Sequence, residues 1–106
     1  MPQDRTAPHD CLTMAQVRAG VDALDREIVA LIGERFRYMD AAARIKPERE
    51  KVRDEDRKAE VLRNVAALAL RHDVPAEAAA ELYDRLVEAS IGYEFVQFDR
   101  LRGAPE

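Results

Sequence analysis

Six apolar residues, Met14, Val17, Val21, Leu24, Ile28 and Leu31, recur at alternating steps of three and four, and the next place in the series is taken by Arg35. Steps of three and four mark one face of an amphipathic helix, so the run predicts a long helix with a cation on its apolar stripe. Lys46 follows eleven residues later, three helical turns on, and returns to nearly the same face. A cation on a core-facing stripe is costly to bury unless an anion meets it. The pattern therefore predicts a bound anion as well as a helix.

Thr13 is placed to cap this first helix and Pro47 to stop it after Lys46. Such a helix has about 34 residues and is roughly 50 Å long at 1.5 Å per residue. A compact chain of this size has a radius of gyration of about 13 Å, so the helix overshoots a monomer. That mismatch predicts an obligate homodimer in which two long helices lie side by side. The charged stretch from Pro47 to Asp54 reads as a connection, with Asp54 capping a second helix from Glu55 to about His72 that turns Val61, Leu62, Val65 and Leu68 inward. After a turn at residues 72–75, Pro75 suits the first position of a third helix. Its broad apolar face carries Leu82, Leu86, Val87, Ile91, Phe95 and Phe98, and Gly103, Ala104 and Pro105 end it. The expected fold is thus all-α, with three helices per chain, one of them very long. Residues 1–12, which include Pro2 and Pro8, read as a mobile arm ahead of a helical domain over 13–102.

Composition narrows the classes. A chain of 106 residues, 47% hydrophobic and 36% charged, suits one domain and not two. Few glycines and aromatics, and no Trp, favour helices over a sandwich or barrel. A net charge of −4 argues against a nucleic-acid partner, which normally calls for a basic surface. Cys11 stands alone, so no disulfide framework or zinc cluster is expected, and His9 and His72 do not make a metal site. No leader-like or membrane-spanning apolar run is seen, and the expectation is a soluble, cytoplasmic protein without metal or other cofactor.

In the third helix Ser90 and Glu94 continue the four-residue steps of Leu82 and Leu86 and interrupt that apolar row, as Arg35 interrupts the first. Taken singly, each would sit in water at the edge of its stripe. Taken together, Arg18, Arg35, Lys46, Arg57, Ser90 and Glu94 would make a cationic pocket with one hydroxyl and one carboxyl group. Arg18 precedes Arg35 by seventeen residues, about 260° around a helix and roughly 25 Å along it, so one chain cannot grip a small ligand with both. In an antiparallel dimer Arg18 of one protomer approaches Arg35 of the other. The geometry favours a composite site.

The run Val17-Arg18, Ala23-Leu24-Asp25, Glu34-Arg35 and Lys46, then Val52-Arg53-Asp54-Glu55-Asp56-Arg57, and Ser90, resembles the all-helical (type II) chorismate mutases and their relatives the isochorismate-pyruvate lyases, over about residues 13–98. Asp10-Cys11 is similar to the lyase branch, and the 52–57 stretch is more similar to the mutases. The resemblance implies a small dianionic substrate, chorismate, rearranged to prephenate in aromatic amino-acid biosynthesis without nucleophile, metal or proton transfer. It implies that Arg35, with Arg18 from the partner, clamps carboxylates bidentately, the geometry a guanidinium suits. It also implies that Arg57 and Ser90 support the carboxylate end, that Lys46 and Glu94 face the ether oxygen from opposite sides, and that Asp54 holds the ring hydroxyl. Catalysis would then rest on holding a compact conformer and stabilising charge that grows on that oxygen.

Two positions depart from the family pattern. Glu94 stands where many members have Gln, and a carboxyl group donates a hydrogen bond only when protonated, so pH enters the mechanism. Lys58 stands where bacterial mutases often have a Glu that helps hold the ring hydroxyl, which leaves isochorismate and an amino-substituted chorismate as alternative substrates. From another class comes a silent helical dimer, a regulatory module that has the fold without the activity. Arg53, with its acidic neighbours, reads as solvated charge, as do Glu34, Arg37, Glu48, Arg49, Glu50 and Lys51. Phe36, Tyr38, Met39, Tyr83 and Phe98 read as core or dimer contacts.

Overall fold

The computed structural model describes residues 5–103. Pro2 of the expected arm, and Ala104 and Pro105 of the expected stop, lie outside the described residues. The described residues form three α-helices, α1 (Met14–Ile45), α2 (Glu55–Arg71) and α3 (Ala76–Leu101), with single 3₁₀ turns at Pro8–Asp10 and Arg49–Lys51. The all-α expectation is met.

Local chemistry sets the ends. Thr13 Oγ1 accepts from the Gln16 amide at 3.2 Å, while Gln16 Oε1 accepts from the amides of Thr13 and Leu12 at 3.1 and 2.7 Å. This reciprocal capping box starts α1 at Met14. At the other end Pro47 has no N–H with which to continue the ladder. Asp54 caps α2 as expected, its Oδ1 accepting from the Arg57 amide at 3.0 Å. The α2 end is a Schellman turn: Val74 N–H reaches Ala69 O at 2.9 Å, and Asp73 occupies the left-handed position with φ 57°. Pro75 follows as the N-cap residue of α3 rather than its first helical residue, because its ψ of 129° is extended.

The chain comprises two compact units, one ending at Arg37 and the other beginning at Tyr38. The first contains the seam of α1, and every seam residue from Met14 to Leu31 is exposed, from 38% at Val17 to 64% at Leu31. Arg5 pairs with Glu27 at 3.0 Å in the same unit.

The second unit has its core in Ala43, Val52, Val87, Ile91 and Phe98, against which Val61, Tyr83 and Phe95 pack. Two expected inward residues, Leu68 and Leu82, are instead exposed. Near the turn between α2 and α3 the buried positions are Ala69 and Ala79, whose small size suits a close approach of two helices. Larger side chains there face outward. The connection between α1 and α2 is tied to α3 by charge. Arg49 makes a two-pronged contact with Asp99 at 2.9 and 3.1 Å and lies over the Phe95 ring. Arg53 does the same with Glu88 at 2.7 and 3.2 Å. Among the described residues no helix is long and apolar enough to cross a membrane.

Candidate active site

Lys46 is the last residue whose amide joins the α1 ladder, donating to Ala42 O at 2.9 Å, and Pro47 turns the chain away immediately afterwards. Its Nζ lies 2.7 Å from Glu94 Oε2 and 3.4 Å from Val52 O. The Glu94 side chain is only 4% exposed and that of Lys46 29%. Glu94 Oε2 has no partner of hydrogen-bonding geometry, so what stabilises it is the Lys46 charge. One helical turn earlier the buried Ser90 donates its hydroxyl to Leu86 O at 2.7 Å. Neither Ser90 nor Glu94 stands in water at a stripe edge; both are 3% exposed. A buried carboxyl group with one ammonium beside it and a buried hydroxyl one helical turn away brings polar groups together on a largely apolar helix face, a chemistry that can serve a polar or charged ligand.

The other expected residues divide into two groups. Asp54 and Arg57 are engaged at the start of α2, where Arg57 donates its backbone N–H to Asp54 and pairs its guanidinium with Glu60 at 2.8 Å. Arg18 and Arg35 belong to the unit that ends at Arg37, on one continuous helix and roughly 25 Å apart along its axis. Arg18 is exposed and Arg35 half-buried.

Several charged residues do more than the sequence suggested. Arg53 is not merely solvated: it holds Glu88 and, at 3.0 Å, Glu55. Lys58, 18% exposed, bridges Asp84 at 2.9 Å and Glu88 at 2.7 Å, one turn apart on α3. Hydrogen bonds from Arg53 and Lys58 draw the Glu88 carboxyl down to about 2, and the same contacts raise both cations. Arg49 likewise lowers Asp99 through its hydrogen bonds. Arg102, which sequence reasoning passed over, donates to Lys46 O at 2.7 Å and to Ala43 O at 3.1 Å. The one sequence signal for it was a basic residue at the close of an amphipathic helix.

Residues 17–95 match the family described as chorismate mutase type II. The chain belongs to that family. The matched stretch of this type II chorismate mutase family member contains all seven expected site residues, from Arg18 to Glu94, and Arg102 lies beyond it. The chain is also similar to the isochorismate pyruvate lyase of Pseudomonas aeruginosa, with 28% identity over 97 residues that cover 92% of this chain and 96% of that protein. The family is an enzyme family, and Lys46 and Glu94 of this chain both lie within the matched stretch.

Proposed function

We propose that the protein is a chorismate mutase, and the observation that carries this reading is the contact of half-buried Lys46 with buried Glu94 within the family's matched region. Conversion of chorismate to prephenate is pericyclic: the ether C–O bond breaks as a C–C bond forms, within one cyclic movement of electrons. Such a reaction needs no nucleophile, only a compact conformer and stabilisation of the charge that develops on the ether oxygen. Lys46 supplies a cation on one side of that oxygen and Glu94, when protonated, a hydrogen-bond donor on the other. In the free protein the two side chains face each other; the substrate's ether oxygen would come between them.

The family resemblance assigns Arg35, and Arg18 of the partner subunit, to clamping the two carboxylates, and Ser90, Asp54 and Arg57 to holding the carboxylate end and the ring. A second copy of the chain covers the exposed seam of α1 in this reading. The exposed apolar series Met14 to Leu31, which leads to Arg35, supports the homodimer. The resemblance of Val52 to Arg57 to the mutases supports the first reading, and the similarity to an isochorismate pyruvate lyase supports elimination of pyruvate from isochorismate as the second.

Incubation with chorismate and, separately, with isochorismate tests both. Prephenate formed from chorismate supports the mutase. Salicylate and pyruvate formed from isochorismate, with chorismate left intact, would replace it with the lyase. No conversion of either, together with no calorimetric binding of a bicyclic transition-state analogue, would leave a silent helical dimer.

A further inference from the structure

The geometry points to Arg102 as a positioning residue that sets Lys46 by completing the C-terminal hydrogen bonds of α1. The last four carbonyls of an α-helix have no intrahelical donor. Here the loss has a specific cause, because the amide that would reach Ala43 O belongs to Pro47, which has no N–H. Arg102 Nη1 takes that place at 3.1 Å, and its Nη2 reaches Lys46 O at 2.7 Å. Nη1 also lies 3.4 Å from Phe98 O. One planar fork thus spans the final turn of α1, and a cation at a helix C-terminus is further favoured by the helix dipole.

The fork is itself held in place. The guanidinium carbon sits 3.5 Å above the centre of the Phe98 ring, and Phe98 is part of the core. Arg102 follows directly on α3, the helix that also carries Glu94. The end of α3 therefore holds the backbone of Lys46 while Glu94, two turns earlier, meets its ammonium group. The ends of the Lys46 residue, carbonyl and Nζ, are fixed by the same helix. Arg102 does not touch the substrate in this arrangement; it acts through Lys46.

The inference rests on the mutase reading for its kinetic consequence, and its test has a part that does not. In Arg102→Ala the final turn of α1 loses two donors, and exchange of the Lys46 amide hydrogen should quicken by about tenfold or more relative to the wild type. Turnover of chorismate should show kcat lowered by ~10- to 100-fold, the scale of a misplaced catalytic group, with KM changed by less than about threefold. Added guanidinium at millimolar concentration should restore part of kcat in Arg102→Ala and none in the wild type. Arg102→Lys keeps the charge and most of the stem but loses the fork, and should fall between wild type and Ala, which keeps the test open if the Ala variant does not fold. Unchanged Lys46 amide exchange overturns the inference, as does equal loss in kcat and 1/KM without guanidinium rescue. A wild type that turns over no chorismate would defeat the mutase reading instead, and the exchange result alone would then decide for or against Arg102 as the cap of α1.

Discussion

Removing either member of the Lys46–Glu94 pair should destabilise the protein, but by different amounts. At 2.7 Å two unit charges attract with about 6 kcal/mol at an effective dielectric constant of about 20, most of which offsets the desolvation of both groups. The cost of a deletion is therefore set by what the survivor can reach. Lys46→Met leaves the Glu94 carboxyl group 4% exposed, with an oxygen that has no other partner, so it must stay charged unpaired or take up a proton at a comparable cost. An uncompensated buried charge of this kind costs about 3–5 kcal/mol. Glu94→Gln leaves Lys46, 29% exposed and within 3.4 Å of Val52 O, where water and an amide oxygen still solvate the ammonium. That loss is on the scale of a single hydrogen bond, about 1–2 kcal/mol. Urea unfolding at neutral pH and one fixed protein concentration measures both, and Lys46→Met should lose at least about 1 kcal/mol more. The double variant should be more stable than Lys46→Met alone, because it removes the stranded charge. Equal losses, or a larger loss for Glu94→Gln, would mean that Glu94 is not confined as the geometry indicates.

Four further outcomes can be checked. Mixing Arg18→Ala with Arg35→Ala protein, each inactive alone, should restore part of the mutase activity through heterodimers with one intact site; no recovery after verified subunit exchange excludes a composite site. Glu94→Gln should keep activity while flattening any alkaline loss seen in the wild type, since an amide donates to an ether oxygen at every pH; an identical pH profile would take Glu94 away from that oxygen. Because Glu88 is lowered from 4.5 to about 2 in the folded chain, its ion pairs stabilise above pH 4.5 and the contribution disappears as pH falls toward 2. The difference in thermal midpoint between wild type and Glu88→Gln should therefore be largest above pH 4.5 and close by pH 2, and a constant difference would contradict the network. Asp73→Gly should raise the thermal midpoint by a few degrees, since glycine adopts the φ of 57° without the ~1 kcal/mol or so that other residues spend there; a lowered midpoint would show that the Asp73 side chain contributes more than its backbone costs.

Much of this protein is determined by interactions among residues close in the chain. Thr13 with Gln16, Asp54 with the Arg57 amide, and the prolines at 47 and 75 act within four residues of the ends they define, so the helix limits could be read to within about a residue. The three-and-four spacing that leads to Arg35 is local in the same sense, and so is the charged run at 52–57. What only the tertiary structure decided lies between distant residues. Glu94 meets Lys46 across 48 positions, Arg53 meets Glu88 across 35 and Arg102 meets the α1 carbonyls across 56 and 59. In a chain with 38 formally charged side chains, 17 basic and 21 acidic, each has many possible partners of opposite sign, and sequence pattern does not rank them. The outward turn of Leu68 and Leu82, against an apolar pattern that points inward, has a similar origin: how closely α2 and α3 approach at their shared turn decides whether a leucine or an alanine fits between them. Backbone preference and capping act over a few residues, whereas the pairing of charges and the filling of a core depend on where packed helices bring their side chains.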